Sequence, residues 1–497
     1  MPSPYMESET TTQRLDSAFL EIKGLSEFLP PGSARYIEKE SVAYVSPGAI
    51  HGYSLKFLRT NARVLGELGE IPKDVADEIE GKITLENVPF KRAEHWENII
   101  HHDVRGIVKA CWDVLSPRAR NYLYLGFTSY DVLNTAQSMA LLDFGTEVMV
   151  PELSGFCTEL VTRAEEHPDT IMMGRTHRQH AAPTTVGHYF LEIVGGVLPA
   201  LENYNRAVYD LRGKATGFVG TNAARKVLFR TDPREIDRRL FGIIGVTPER
   251  ITGQTVNQYY YADYMGQLFM SVAGQAKFCN DMRGYQQTEV GEMMEKRVGE
   301  QVGSSTGAHK INPINSENVA GAKFRQMMGQ MVAVNQDFMT DFQRDLRDSG
   351  NKRYYIFEMP NIALGAARKA TKIARNLTIR PNKMLENVGM MRGLTAAEPL
   401  QLYLQKWMGD NQDAFEGEFR DAHEEVRLLS DRARETGRPL PELAMEDPLM
   451  REALDSADPW TREQILDPEK YTGTASEDVR EMAGEYRHRL DLLKDRV

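Results

Sequence analysis

The densest set of reactive side chains in this sequence lies between Gly303 and Glu317, GSSTGAHKINPINSE. A glycine turn, adjacent hydroxyls, a histidine, a lysine and an Asn-Pro step sit there without helix or strand period, between two long helical patterns. Gly303 leaves the backbone at Ser304 free to take turn geometries. Lys310 brings a cation with several donors, Asn312 an amide, and Pro313 a stiff exit. A serine near a lysine suggests a proton abstractor whose alkoxide the ammonium stabilises. The same ammonium could stabilise negative charge building on a substrate carboxylate. A polar, Gly-rich insert of this kind is either a solvated surface loop with a capping serine or a mobile loop that closes over a site.

Further polar clusters fall at expected element boundaries. In Ile99 to Val104, His101 and His102 stand beside Asp103. Adjacent helical residues point about 100° apart, so the two histidines cannot share a ligand face and no metal site is expected. One histidine partnered by an acid is the functional alternative to a plain polar helix face. Thr128 and Ser129 precede helical periodicity running to Leu142, where such hydroxyls cap a helix or hold a carboxylate. Arg175, Thr176, His177, Gln179 and His180 cluster ahead of Pro183 and the capping pair Thr184-Thr185. A histidine there is either solvated or a general acid at neutral pH. Arg344, Ser349 and Arg353 join two guanidiniums with a hydroxyl, a set that suits a phosphate or else forms an exposed charged turn. Arg35 and Tyr36 follow Ser33 at an expected helix start, which favours an anion, although a packed surface pair is the plainer account. The Gly-rich stretch from Leu211 to Ala224 lacks both the phosphate-loop ending and the dinucleotide spacing, so it is given no nucleotide role.

The elements that must position these groups are helices. Phe190, Ile193, Val197, Leu201, Tyr204, Val208 and Leu211 recur at three- and four-residue steps, which predicts an amphipathic helix with a possible kink at Pro199. A pattern rich in Met, Tyr and Phe runs from Gln254 to about Glu295, a rod of roughly 60 Å broken by Gly266, Gly274 and Gly284. Another covers Phe324 to about Asp345, with Met327, Met331, Val334, Phe338 and Phe342 on one face. Helices of this length suggest a bundle shared between subunits. Residues 1–30 read as a loosely held lead-in, Tyr53 to Ser116 as short helices with charged faces, and the chain after Pro381 as shorter, more charged helices. The expectation is an all-α protein of three helical domains: 1–125, a central long-helix bundle over 126–382, and 383–497.

Composition narrows the classes. The chain has 497 residues, 41% hydrophobic and 26% charged, ordinary for a globular protein with room for a large core. A net charge of -11 argues against a nucleic-acid partner but not against a small anionic substrate, because a few local cations can reverse the field in a cleft. Cys111, Cys157 and Cys279 are widely spaced, with neither disulfide nor zinc pattern. The N-terminal MPSPYMESETTTQ shows no secretory pattern, and no apolar run is long enough to span a membrane. A cytoplasmic location without a membrane partner is the expectation.

The loop resembles the signature loop of the fumarase/aspartase superfamily, Gly-Ser-Ser-x-Met-Pro-x-Lys-x-Asn-Pro. Gly303, Ser304, Ser305, Lys310, Asn312 and Pro313 match it, while Gly307 and Ala308 replace Met-Pro and imply a looser loop. Other clusters match one branch in order across most of the chain. Arg35-Tyr36, His102-Asp103-Val104, Thr128-Ser129, Gly174-Arg175-Thr176-His177, Gln254, the Arg344–Ser349–Arg353 set and LDPEKYTG from Leu466 to Gly473 resemble the adenylosuccinate lyase family. Where that family commonly reads Gln-Arg-Asp beyond the glutamine, this chain has Asn257-Gln258-Tyr259.

The resemblance implies β-elimination of fumarate from an N-succinyl nucleotide: from adenylosuccinate to give AMP, and from the succinylated aminoimidazole carboxamide ribotide in purine biosynthesis. Ser304 would be the base and His177 the acid, oriented by Glu317. Lys310 and Asn312 would hold the carboxylate beside the acidic carbon, and His102 would line the site. Thr128 and Ser129 would bind a carboxylate, with Asp103, Thr176 and Gln254 on the substrate. Arg35, Tyr36, Arg344, Ser349 and Arg353 would hold the phosphate. No metal or organic cofactor is implied. The family pattern also implies a homotetramer with a core of about 20 helices and sites built from three subunits. Two other readings stay open: a lyase of the same fold acting on another N-succinyl compound, and a catalytically silent scaffold.

Overall fold

In the computed structural model, which describes residues 3–6, 9–29, 31–296, 299–300, 302–412 and 420–494, 69% of the chain is helical and 4% strand, so the all-α expectation holds. The lead-in is more ordered than its polar composition predicts, because α1 (Glu9–Gly24) buries Leu15 against the main core. Arg35 and Tyr36 do not open a helix. They lie in a turn between a short 3-10 segment ending at Ser33 and a helix that starts only at Lys39. Next comes α2 (Pro47–Glu67), capped by Ser46, whose side chain accepts the Ala49 N–H at 3.2 Å. At 21 residues, with most positions buried, it is longer and more apolar in its surroundings than a short charged-faced helix.

The central rods are built in order from α3 (Asp103–Trp112), α4 (Ser129–Phe144) and α5 (Val150–Glu166), the last two joined through a π-turn over Gly145–Met149. The polar cluster at residues 171–185 folds as an antiparallel hairpin, β1 (Ile171–Thr176) and β2 (Gln179–Thr185), which the sequence pattern did not predict. Its register slips at Gly174, where an added Cβ would lie 2.7 Å from the Ala182 carbonyl oxygen. Only glycine fits that bulge. Thr185 then caps α6 (Val186–Tyr209), accepting the His188 N–H at 3.2 Å, and the predicted apolar stripe is buried along it.

The rod predicted from Gln254 is shorter at both ends: α7 spans Tyr259–Tyr285. It passes straight through Gly266 and Gly274. The second of these lets α6 approach, since a Cβ there would meet Val197 Cγ2 at 2.5 Å. α8 (Phe324–Gln336) ends well before Asp345, so Met327 and Val334 are buried but Phe342 is 97% exposed. The charged Arg344–Tyr354 segment, readable as a turn, instead opens the longest helix, α9 (Arg347–Asn376), which carries Pro360 inside it. One apolar core runs from Leu15 to Leu493, and a smaller cluster gathers Leu400 to Ile465. After α10 (Pro381–Met390) and that cluster, α11 (Ala475–Lys494) returns to the bundle, with Arg489 pairing Glu202 of α6 at 2.8 Å. Among the described residues no helix is long and apolar enough to cross a membrane.

His51 on α2 is 2% exposed, and its Nε2 lies 2.7 Å from the Val88 carbonyl. Burial pushes its pKa down to about 4, below its value in the unfolded chain. The unfolded chain therefore takes up this proton first, and stability falls as pH drops from about 6.5 towards 4. Relative to His51→Phe, the wild type should lose ~3 kcal/mol of unfolding free energy over that window, read by denaturant titration at each pH.

Candidate active site

One group of polar residues gathers at the start of α7. His102 caps α3 by accepting the Arg105 N–H on Nδ1 at 3.3 Å, which leaves Nε2 facing Ser129 Oγ at 3.4 Å. Asp103 accepts from Arg353 Nη2 at 2.9 Å. Thr128 begins α4, its backbone N–H donating to Asp131 at 2.7 Å. Asp131 is fully buried, ion-paired with the equally buried Lys214, and accepts the Gly217 N–H at 3.2 Å. The Gly-rich stretch around Lys214 thus has a structural task that no nucleotide motif could reveal: it fixes the helix start that carries Thr128 and Ser129.

Beside these, Arg344 donates to Gln254 Oε1 at 2.9 Å and lies 3.8 Å from the centre of the Tyr130 ring. Ser349 Oγ donates to the Leu346 carbonyl at 2.9 Å, on the first turn of α9. Behind them Lys352 and Asp348, both buried, pair at 3.0 Å. Asp103, Tyr130, Ser349 and Arg353 share a cavity of about 290 Å³ whose other walls are largely apolar. The structure therefore joins His102, Asp103, Thr128, Ser129, Gln254, Arg344, Ser349 and Arg353 in one region. Sequence reasoning missed Tyr130 and the Asp348–Lys352 pair. A tyrosine inside a helical stripe reads as core, and an Asp-Lys pair four apart reads as a solvated face.

A second group sits at the other end of α7. The hairpin turns through His177 and Arg178, at φ 51° and 64°, so both central residues of a two-residue turn are left-handed. Such turns favour Asn-Gly, and holding His-Arg there stores backbone strain of the kind found at functional sites. Thr176 and His177 are exposed at this tip. Arg175 is structural: it donates to both oxygens of the fully buried Glu292, at 2.9 and 2.6 Å, and Asn387 of α10 donates to the same carboxylate at 2.7 Å.

The Gly303–Glu317 loop follows at this same end. Ser304 Oγ, half-buried, accepts the Gly307 N–H at 3.0 Å. That donor favours the alkoxide form of the serine. Glu295 pins the far side of the loop, accepting the Ser316 N–H at 2.7 Å and the Asn315 amide at 3.1 Å. Gln286 holds the Ile311 carbonyl at 2.7 Å. Lys310, Asn312, Glu317 and Arg178 line a cavity of about 770 Å³. Among the described residues no hydrogen bond or ion pair links Glu317 to His177 within the chain. Tyr36 lies on the loop side as well: Lys369 Nζ is 5.4 Å from its ring and donates to Asn318 Oδ1 at 2.5 Å. Arg35 lies over the same ring at 6.0 Å.

The two groups cannot meet in one chain. Tyr261, near the start of α7, donates to the Asn134 carbonyl at 3.0 Å beneath the first group, whereas Gln286, just past its end, holds the loop. Along those 27 residues the separation is roughly 40 Å. Arg353 and Lys369 stand about 24 Å apart on α9, so the two phosphate-type sets are separated too.

Comparison with known proteins identifies the family and the fold. The lyase family profile matches residues 37–329. The adenylosuccinate lyase of Pyrococcus horikoshii is 32% identical over 85% of this chain and 90% of its own length. That of Methanothermobacter thermautotrophicus is 31% identical over 83% and 89%. Among solved structures, 3-carboxy-cis,cis-muconate lactonizing enzyme from Pseudomonas putida is similar in fold, with a TM-score of 0.78 at 21% identity, covering 91% of this chain and 98% of that one.

Proposed function

This chain belongs to the lyase family, within the fumarase/aspartase superfamily, as a carbon–nitrogen lyase of the adenylosuccinate lyase type, and we propose that its substrates are adenylosuccinate and the succinylated aminoimidazole carboxamide ribotide. The observation that carries this reading is the turn in which Ser304 Oγ receives a backbone donor while Lys310 and Asn312 line the adjoining cavity. The proton to be removed lies next to a carboxylate and is weakly acidic. Lys310 and Asn312 bind that carboxylate and stabilise its dianionic aci form as Ser304 takes the proton. The electron pair left on carbon forms the double bond of fumarate as the C–N bond breaks. His177, oriented by Glu317, gives its proton to the departing nitrogen, and AMP leaves as the amine. Thr128 and Ser129 hold the second carboxylate, beside His102. Gln254, Thr176 and Asp103 contact the substrate.

That the contributing groups lie at opposite ends of α7 supports a site shared between subunits, and the resemblance to the adenylosuccinate lyase family implies a homotetramer with each site assembled from three of them. Met270 of α7 and Met328 and Val332 of α8 are exposed in the single chain, as faces buried against neighbouring copies would be.

The test is fumarate release from each of the two nucleotides by the purified protein. Release from neither, by a folded oligomer, overturns the substrate assignment and favours another N-succinyl compound. The phosphate residues separate these readings. Arg353→Ala should raise KM for a phosphorylated substrate ~10- to 100-fold with kcat little changed, and should barely affect a substrate without phosphate.

A further inference from the structure

We propose that Tyr130 is a positioning residue that sets the grip of this chain on the substrate's phosphate; the inference rests on the nucleotide-lyase reading above. Tyr130 follows the Thr128-Ser129 pair directly and is 3% exposed. Its ring lies under the Arg344 guanidinium at 3.8 Å, and its hydroxyl is a neighbour of Ser349, whose Oγ donates to the Leu346 carbonyl. It also shares the 290 Å³ cavity with Ser349, Arg353 and Asp103. One side chain therefore supports Arg344 and borders the other two phosphate-type residues on this side of the molecule, Ser349 and Arg353.

The physical effect is on freedom of motion. Arg344 is tied at one edge to Gln254, and its Nε stands 3.8 Å from Asp348, too far for a strong bond. Without a surface beneath it, the guanidinium could rotate about its last bonds and lose the plane in which two N–H groups meet two phosphate oxygens. Stacking on Tyr130 fixes that plane, and the cation–π attraction strengthens as water is excluded. Burial pushes the Tyr130 pKa up to about 12, so the phenol stays protonated and neutral beneath the cation throughout the working range. Tyr130 also stands between the carboxylate-binding hydroxyls and the phosphate-binding set, so the spacing between these subsites depends on the bulk of its ring.

The test compares wild type, Tyr130→Phe and Tyr130→Leu, as the full chain. Fumarate release is measured with an N-succinyl nucleoside monophosphate and with the same compound lacking its phosphate, and AMP binding is measured by calorimetry. Tyr130→Leu should raise KM for the phosphorylated compound ~10-fold, leave kcat within about twofold, and not change KM for the dephosphorylated one. Tyr130→Phe, which keeps the ring, should show only a ~3-fold rise. The Kd for AMP should rise by the same factors. Equal KM changes for both compounds, or unchanged AMP affinity in both variants, would overturn the inference. If Tyr130→Leu does not fold, the ~3-fold shift in Tyr130→Phe decides alone. A wild type that releases no fumarate but binds AMP in a Tyr130-dependent way sinks the reaction and keeps this role. Turnover with Tyr130-independent AMP binding does the reverse, and neither turnover nor AMP binding sinks both.

Discussion

Ser304→Ala is expected to lower kcat for fumarate release by ~10³-fold or more while KM stays within about threefold. In the proposed mechanism the serine meets the substrate through the proton it removes, so its loss would be felt in the transition state and hardly in the ground state. The magnitude follows from what assists it. The Gly307 N–H donates to Ser304 Oγ at 3.0 Å, and the loop carries Lys310 six residues on. Both favour the alkoxide, and a methyl group in place of the hydroxymethyl removes the base together with the one hydrogen bond it accepts from Gly307. His177→Ala should cost ~10²- to 10⁴-fold in kcat, because an amine cannot leave well as an anion. The two losses can be told apart by isotope. Deuterium at the abstracted position should slow the Ser304→Ala variant more than the His177→Ala variant, in which C–N cleavage limits the rate. Full activity in Ser304→Ala would remove the serine from the mechanism.

The departure at Gly307-Ala308 bears on this prediction. A Cβ at Gly307 would lie 3.5 Å from Ser304 Oγ, ordinary van der Waals contact, so glycine is not demanded there by space. Its expected consequence is mobility rather than geometry, since a glycine adds backbone conformations that any closure of the loop over substrate would have to remove. Replacing it should therefore act on the closing step and leave the Ser304 hydrogen bond in place.

How much of this could be read beforehand depended on whether a local pattern coincides with a tertiary need. The stripe from Phe190 to Val208 was legible because one face of α6 is buried along its whole length and the opposite face is not. The capping roles of Thr128 and Thr185 were legible because caps are local. The hairpin was not. Arg175, Thr176 and Gln179 are polar on both faces, Pro183 interrupts, and pairing is imposed by the partner strand with a bulge at Gly174. The start of α9 was hidden by its charge. RDSGNK looks solvated, yet Asp348 and Lys352 neutralise each other inside the core, and Gly350 is carried through because the later face of Tyr355, Met359 and Ala363 is buried. The polar residues that the structure joins near the start of α7 were singled out by type and spacing, whereas Tyr130, buried under Arg344, reads as one more core aromatic.

Mixing two inactive variants should restore activity, and this is the sharpest consequence of the geometry. His102 lies with Ser129, Asp103 and Arg353 near the start of α7, and Ser304 lies with the loop beyond its end, roughly 40 Å away along the helix. No loop closure spans that distance, so a site using both groups takes them from different chains. His102→Asn and Ser304→Ala oligomers, each nearly inactive alone, should exchange subunits after mild dissociation and reassociation. In an equal, random mixture a site draws His102 from one chain and Ser304 from another, and each is intact half the time. Roughly a quarter of sites are then whole, and the mixture should recover about that fraction of the wild-type rate. Pairing Ser304→Ala with Lys310→Ala should recover nothing by the same treatment, because those residues share one loop and enter a site from the same chain. Recovery in the first mixture and none in the second requires a shared site. Recovery in neither, with exchange verified by mass spectrometry, would mean that one chain supplies both groups and that α7 does not separate them in the working enzyme.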